Sequence, residues 1–261
     1  MDSLFKVNLL AQTPQPQELM YWAMHQCYAE EFVSEQNPDK YLTYDESRYG
    51  GLCVKHLLKG NRGHYNPLEG PQISFNVGYF PHSVMQQLRT HRTGVSFSVQ
   101  SFRYSGKRIS ELGLLGEQYI SSSDFEFSGK IIESIEKVFY IRPENSYTDR
   151  QGKKYDVTEE QRQNDLSYCL QCAIRYKEDI NIRGYSEEHA RSKIAFDVRQ
   201  HFVMSCNLRS LLHIMDLRSK KDAQLECQQF CELVVPHLES WVPEIWEWYR
   251  ENRYTKARLS P

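Results

Sequence analysis

The stretch QQLRTHRTGVSFSVQSFRYSGKR, residues 86–108, decides how the rest of the chain is interpreted. It holds five Lys or Arg side chains and one histidine, and it contains no Asp or Glu. Serine and glutamine side chains lie between the cations, and such short donors complete the coordination of phosphate oxygens once an arginine has bound them. The stretch therefore predicts an anion site. Composition alone leaves open the alternative of a solvated basic face.

The composition of the whole chain bounds the kind of anion. Its 261 residues include 32 basic and 34 acidic side chains, which gives a formal net charge of −2. Long nucleic acids require an extended basic surface, so a local cationic pocket in a near-neutral protein fits a small phosphorylated ligand better. With 40% apolar and 13% aromatic residues the chain can bury a substantial core, and we expect one domain over residues 1–261.

The distribution of apolar residues bears on location. The chain has no apolar run of the roughly 18 residues that a membrane span needs. Its first residues lack the charged start and apolar core of a secretory signal. We therefore expect a cytoplasmic protein that does not bind membranes.

The seven cysteines are expected to be reduced thiols, because an odd number fits a reducing compartment better than a disulfide framework. Cys169 and Cys172 form a CxxC pair, and Cys227 and Cys231 are spaced four apart. Both pairs lie in sequence that predicts helix and lacks a Gly-rich knuckle. Burial as small apolar residues is therefore favoured over a zinc site, and we expect no metal.

Apolar periodicity and turn residues predict strands mixed with helices. Strands are expected over 4–11, 71–79 and 196–207, and a hairpin over 139–158. Helices are expected over 16–32, near 52–59, over 81–92, within 121–138, over 158–179, from Ser186, as a helix–turn–helix over 207–230, and over 238–254. The fold class predicted is α+β.

The segment THRTGVSFSVQSFRYS, residues 90–105, resembles the signature of the flavin-dependent thymidylate synthases. That signature runs Arg-His-Arg, a short spacer, and then Ser-x-Arg-Tyr. His91 and Arg92 match its second and third positions, and Ser101, Arg103 and Tyr104 match its end.

Two departures from the signature stand out. Thr90 occupies the position of the first arginine, which removes a cation. The spacer between Arg92 and Ser101 is one residue longer than in the commonest form, so the partners of Val99 and Gln100 are uncertain by one position.

Two further blocks carry the same resemblance. The family's His-x-Thr-Pro-x-Glu motif is matched by His64, Asn66, Pro67 and Glu69, with Asn in place of Thr. The family's pattern Asn-x-Arg-Ser-x-x-(His or Asn)-x-x-x-x-Arg is matched by Asn207, Arg209, Ser210, His213 and Arg218. Between these blocks, EEHAR resembles the family's Ala-Arg element and carries Arg191.

The resemblance implies a reaction and its cofactors. It implies a single α+β domain with a central, mostly antiparallel sheet packed by helices, assembled as a homotetramer with sites shared between subunits. It implies reductive methylation of dUMP to dTMP, with 5,10-methylenetetrahydrofolate as carbon donor and FAD, reduced by NADPH, as hydride source. In that chemistry the protein supplies orientation and charge stabilisation.

The resemblance also assigns residues, with Arg218 as the catalytic group against the uracil ring. The positions it implies for dUMP are Gln87, Leu88, Arg89, Thr90, Gln100, Ser101, Phe102, Arg103, Arg191 and Arg218. The positions it implies for FAD are His64, Asn66, Glu69, Thr90, His91, Arg92, Val99, Asn207, Leu208, Arg209 and His213.

Two other functions remain open from the sequence. The cations of residues 86–108, with Phe97, Phe102 and Tyr104 as stacking surfaces, suit a nucleic-acid-binding module. The departures at Thr90 and in the spacer suit an FAD-binding homologue that has lost methylation.

Overall fold

The computed structural model describes residues 1–35, 44–60, 63–121, 127 and 129–256. The strands of this part of the chain are β1 (Lys6–Gln12), β2 (Gln72–Pro81), β3 (Val95–Val99), β4 (Asn145–Thr148), β5 (Lys154–Val157) and β6 (Arg199–Asn207). Its α-helices are α1 (Pro16–Gln26), α2 (Glu46–Cys53), α3 (His82–Leu88), α4 (Lys107–Ile120), α5 (Gly129–Val138), α6 (Glu159–Asn181), α7 (Glu187–Ala190), α8 (Leu208–Arg218), α9 (Leu225–Trp241) and α10 (Pro243–Asn252). A π-helical turn, Val54–Leu58, continues α2, and 3-10 turns cover Val33–Glu35, Asn66–Glu69 and Arg191–Lys193.

Four strands form one sheet in the order β1-β2-β6-β3, and β4 pairs antiparallel with β5 in a separate hairpin. The predicted α+β class, with a mostly antiparallel sheet packed by helices, is confirmed. By its contacts the chain divides into two compact units. The first unit comprises Met1–Val77, Gln87–Ser98 and Val203–Pro261, and the second comprises Gly78–Gln86 and Val99–Phe202. The expectation of one domain over residues 1–261 stays a prediction.

The first unit packs α1 against α2, and α9 against β1. His237 on α9 donates from Nε2 to the Val7 carbonyl at 3.0 Å, and Trp241 donates from its indole to the Thr13 carbonyl at 2.9 Å. Side chains of the first unit that are almost completely buried include Met20, Leu57, Phe75 and Phe230, so these residues belong to its core.

The second unit is built on the pair α4 and α6. A Cβ at Gly113 of α4 would lie 2.5 Å from the carbonyl oxygen of Ala173 on α6, and one at Gly116 would lie 2.7 Å from a methyl of Leu170. The two glycines let the helix backbones approach closely. An ion pair between Lys177 and Glu117 lies beside the contact.

Helix caps confirm two predicted helix starts. The Thr158 hydroxyl accepts from the Gln161 amide at 3.3 Å, and the Gln161 side chain accepts from the Thr158 amide at 3.0 Å. This reciprocal pair satisfies two donors that the first turn of α6 leaves unpaired. Ser186 likewise precedes α7.

The strands expected over 4–11, 71–79 and 196–207, the hairpin and the helix–turn–helix are also confirmed. Several helix bounds were wrong. The helix expected over 16–32 ends at Gln26, and the one expected near 52–59 begins at Glu46, where the Asp45 carboxylate accepts from the Arg48 amide at 2.8 Å. The helix expected over 238–254 is two helices, because Pro243 disfavours helical geometry at Val242, whose ψ is 64°.

Two elements near the signature were missed. The strand β3 and the helix α4 were not predicted. In α4, two interior glycines lower the helix propensity of the sequence. Within the helix predicted in 121–138, α5 begins at Gly129, and residues 122–126 and 128 lie outside the described residues.

The cysteines of the two pairs are free thiols on α6 and α9. Burial raises the pKa of the Cys227 thiol to about 12, and the pKa of Cys169 is also raised, chiefly by burial. In the described part of the chain no group of three or more His, Cys, Asp or Glu is placed to hold a metal ion. Among the described helices none is long and apolar enough to cross a membrane.

We predict that Gly113→Ala lowers the free energy of unfolding by about 1 to 3 kcal/mol, because the new methyl forces α4 and α6 apart. The matched control is Gly51→Ala in α2, where a Cβ meets nothing within 4 Å. That change should stabilise by roughly 0.5 to 1 kcal/mol through helix propensity. Urea unfolding of both variants checks this, and equal stabilisation of both would contradict close packing at Gly113.

Candidate active site

The start of α8 is fixed to the turn that follows His91 and Arg92. Asn207 caps the helix, since its side-chain oxygen accepts from the Ser210 amide at 2.8 Å. The Ser210 hydroxyl donates to the Thr93 carbonyl at 2.7 Å, and the Asn207 amide donates to the Gly94 carbonyl at 3.1 Å. The signature and the third block of the resemblance thus meet here.

Gly94 makes this close approach possible. Its φ is +65°, a backbone angle that residues other than glycine rarely adopt. A Cβ at this position would lie 2.3 Å from the Asn207 side-chain nitrogen and 2.4 Å from the Ser210 hydroxyl oxygen. The turn therefore has no room for a side chain at residue 94.

The end of α8 carries Arg218, whose guanidinium is held by four hydrogen bonds to residues 87–91. Its Nε donates to His91 Nε2 at 3.2 Å and its Nη1 to Gln87 Oε1 at 2.9 Å. Its Nη2 donates both to the Gln87 carbonyl at 3.0 Å and to the Thr90 hydroxyl at 2.9 Å. These bonds use the Nε–H, both N–H groups of Nη2 and one N–H of Nη1, which leaves the second N–H of Nη1 for a ligand.

His91 is the neutral member of this group. Burial, the nearby Arg218 charge and His213 lower its pKa from 6.5 to about 4. The imidazole rings of His91 and His213 lie edge to face, with ring centroids 5.3 Å apart. Since Nε2 accepts from Arg218, the proton of the neutral ring is on Nδ1.

The His-x-Asn-Pro-x-Glu block reaches the same helix through an ion pair. Glu69 Oε1 lies 2.7 Å from Nη1 of Arg209, on the first turn of α8. Asn66 begins the 3-10 turn Asn66–Glu69, and His64 is exposed just before it. The first unit therefore brings together residues from all three blocks.

A pocket beside Arg209 and His213 contains residues that the sequence did not suggest. Tyr65, Trp248, Tyr249, Arg253, Asp216 and three leucines (Leu58, Leu68, Leu212) complete its lining. The aromatic residues of α10, Trp248 and Tyr249 among them, are the sequence signal that could have indicated this wall.

Buried polar contacts fix the wall of this pocket. The Tyr249 hydroxyl donates to Asp216 Oδ1 at 2.7 Å, and Arg253 pairs with Asp216 Oδ2 at 2.8 Å. Burial, followed by the Asp216 charge, raises the pKa of Tyr249, so this hydroxyl stays protonated. Both carboxylate oxygens of Asp216 are consequently paired with other residues of the wall.

Not all the predicted residues can present side chains to a ligand. Leu88 and Leu208 are completely buried, so any contact they make is through their backbone. Arg89, Thr90 and Arg92 lie on the exposed side of the turn after α3.

The second unit contains the remaining predicted positions: Val99, Gln100, Ser101, Phe102, Arg103 and Arg191. The backbone amide of Gln100 donates to the His201 carbonyl at 2.9 Å, and the Gln100 side-chain oxygen accepts from Arg108 at 3.2 Å. Arg103 pairs with Glu188 of α7 at 2.8 Å, and both side chains are about half exposed. Arg191 is exposed immediately after α7, whereas Phe102 is buried in the core of this unit.

The donor set of the first unit fits FAD. A flavin dinucleotide is planar at both ends and anionic between them. Arg209 and His213 offer donors beside the aromatic wall of Tyr65 and Trp248, and the Asn207 cap fixes the direction of α8. Such a combination suits a planar ligand with oxygen acceptors.

Comparison with known proteins shows the family to which the chain belongs. The profile of the family described as "Thymidylate synthase complementing protein" matches residues 8–244. The chain therefore belongs to this family, that of the flavin-dependent thymidylate synthases. The flavin-dependent thymidylate synthase of Halobacterium salinarum is 27% identical over 270 residues, which cover 98% of this chain and 100% of that protein.

Solved structures support the fold alone. Thymidylate synthase X from Helicobacter pylori, determined with FAD and dUMP, is 17% identical with a TM-score of 0.65 over 93% of this chain and 97% of that one. The UMP/dUMP methylase PolB from Streptomyces cacaoi, bound with 5-Br dUMP, is 18% identical with a TM-score of 0.66 over 98% of this chain and 97% of that one.

We predict that the neutral state of His91 makes stability fall on acidification. The unfolded chain takes up a proton at this histidine below about pH 6.5, whereas the folded protein resists until about pH 4. Its contribution is thus complete above pH 6.5 and is lost as the pH falls to about 4, by at most about 3 kcal/mol.

Urea unfolding between these pH values checks the prediction with His91→Gln, whose amide oxygen can still accept from Arg218 without titrating. The variant should lose less stability than wild type over this range. His189→Gln on α7 is the control for removing an exposed histidine. Parallel curves for wild type and His91→Gln would contradict the assignment.

Proposed function

We propose that this protein is a flavin-dependent thymidylate synthase that methylates dUMP to dTMP, with 5,10-methylenetetrahydrofolate as the carbon donor and NADPH as the reductant of FAD. The observation that carries the proposal is the meeting of all three blocks at α8: Glu69 with Arg209, Thr93 with Ser210, and Gln87, Thr90 and His91 with Arg218. We further propose that it works in the cytoplasm.

In this proposal Asn207, Arg209, His213, Glu69 and His91 hold FAD. The remaining members of the set implied by the resemblance are His64, Asn66, Thr90, Arg92, Val99 and Leu208. When bound, FAD supplies the hydride of the reductive methylation. The protein's part is to orient the ligands and to exclude water with the aromatic wall of the pocket.

Arg218 is proposed to act on the uracil ring. C5 of a pyrimidine is a poor nucleophile until the ring is polarised. A guanidinium fixed by four hydrogen bonds loses little conformational freedom when it meets developing negative charge, so its stabilisation is preorganised. Arg218 can offer the uracil ring its positive charge and the unoccupied N–H of Nη1.

The phosphate of dUMP is proposed to lie at Arg103, Ser101 and Arg191. The pair of Arg103 with Glu188 is half exposed, and such pairs contribute only about 0 to 1 kcal/mol. A phosphate with bidentate geometry can therefore replace the carboxylate. Gln87, Leu88, Arg89, Gln100 and Phe102 complete the proposed nucleotide set.

We also propose a homotetramer in which several subunits complete each site. Large apolar side chains are exposed in each unit, including Leu10 and Phe32 in the first and Ile182 and Phe196 in the second. In this proposal the contacts between subunits cover these side chains.

The two alternatives are weaker on this geometry. Phe102, one of three aromatic residues suggested for base stacking, is buried, which counts against a nucleic-acid-binding module. An FAD-binding homologue without methylase activity would be expected to lack a fixed Arg218. We propose no metal ion and no nucleic acid as partners.

The deciding experiment is a two-stage assay of the purified protein. We expect the flavin absorption spectrum after purification, and dTMP formation that requires dUMP, methylenetetrahydrofolate and NADPH together. A colourless protein that does not take up FAD would favour the nucleic-acid-binding module. A flavoprotein that forms no dTMP would favour the non-methylating homologue.

The tetramer gives a separate prediction. Sedimentation velocity should show one species of four chains, and activity should fall on dilution below the assembly range. A fully active monomer with bound FAD would contradict the proposal that each site is shared between subunits.

Arg218→Ala should retain FAD but lower turnover at saturating dUMP by roughly a hundredfold or more, the scale on which a preorganised electrostatic donor acts. Arg218→Lys should recover little, because an ammonium cannot reproduce the planar set of donors. Methylation and NADPH-driven flavin reduction are measured separately. Near-normal methylation by Arg218→Ala at saturating dUMP would show that Arg218 is not the catalytic group.

A further inference from the structure

Thr90 stands where the signature has an arginine, and its hydroxyl makes two hydrogen bonds. It donates to the Gln87 carbonyl at 2.7 Å and accepts from Arg218 Nη2 at 2.9 Å. The same Nη2 also donates to the Gln87 carbonyl at 3.0 Å. Thr90, Gln87 and Arg218 therefore close a small ring of hydrogen bonds at the end of α3.

We infer that Thr90 is a positioning residue for Arg218 in this protein, in place of the FAD and dUMP contact that the resemblance implies for this position. This inference rests on the proposed function only for the reaction in which Arg218 acts. The contact between Thr90 and Arg218 is independent of it.

The chemistry of a hydroxyl explains why this position is occupied by threonine. A hydroxyl can donate and accept at the same time, whereas a guanidinium only donates. Arginine at residue 90 could not accept from Arg218 Nη2, and it would place a second cation against the first. Serine could make both bonds, and valine could make neither.

The surrounding groups leave Arg218 dependent on such acceptors. His91 is neutral near pH 7 and accepts at Nε, and the other acceptors are the Gln87 carbonyl and side chain. The Gln87 side chain is exposed and can exchange with ligand or water. Thr90, the Gln87 carbonyl and His91 Nε2 therefore fix the plane of the guanidinium when that side chain moves.

The test compares Thr90→Val, Thr90→Ser and Thr90→Arg at saturating dUMP, with Thr93→Val as the matched control. Thr93 lies in the same turn, and it contacts Ser210 through its backbone carbonyl. We expect Thr90→Val to lower kcat roughly tenfold, the scale of one hydrogen bond to a charged group, with FAD content unchanged. Thr90→Ser should stay within roughly twofold of wild type on the same scale, because it keeps the bond.

Thr90→Arg distinguishes the two interpretations. If Thr90 positions Arg218, restoring the signature arginine lowers kcat at least as much as Thr90→Val does. If Thr90 is merely a lost cation, Thr90→Arg tightens FAD or dUMP binding and preserves or raises kcat, and the inference is overturned. An unchanged kcat in Thr90→Val would also overturn it.

A second measurement needs no activity. Arg218→Ala is combined with Thr90→Val, and the Tm changes of the ligand-free single and double variants are compared. The changes should fall short of additivity, because each single change already breaks the same bond. If wild type forms no dTMP, the proposed function fails, and this coupling then decides the inference: coupled Tm changes support it, and additive changes overturn it.

Discussion

One short segment, residues 87–94, holds both ends of α8, and the candidate site depends on this constraint. At the helix start, Asn207 and Ser210 bind the carbonyls of Gly94 and Thr93. At the helix end, Arg218 binds Gln87, Thr90 and His91. The Ser210 amide, one of the donors that the first turn leaves unpaired, is satisfied by the Asn207 cap, and the positive charge lies where the helix dipole favours it. The direction of the helix and the orientation of its last side chain are therefore set together.

The electrostatics of this segment follow from the same contacts. A protonated His91 would face Arg218 and could no longer accept from its Nε, so the buried imidazole stays neutral. One cation then remains at the end of α8, with hydrogen-bond acceptors on three sides. A charge held in this way can act on a ligand without first being reoriented.

Much of the fold could be predicted from the sequence, and so could the three motif blocks, because these depend on local patterns. The reciprocal cap of Thr158 and Gln161 lies within one helix turn, and the three motif blocks are contiguous. The approach of α4 to α6 could not be predicted, since Gly113 lowers helix propensity and its benefit appears only against Ala173. The same holds for the Asp216 contacts with Tyr249 and Arg253, whose partners lie 33 and 37 residues away. Nor does any sequence pattern show that Thr90 faces Arg218.

Gly94 has a consequence for how this sequence can diverge. The space that its absent side chain leaves is filled by Asn207 and Ser210, which are more than a hundred residues away in the chain. A mutation at residue 94 therefore affects the cap of α8 as directly as a mutation in the cap itself. A lineage that replaces the glycine must therefore shorten Asn207 or Ser210 and must also relax the backbone from a φ of +65°, so we expect the three positions to change together.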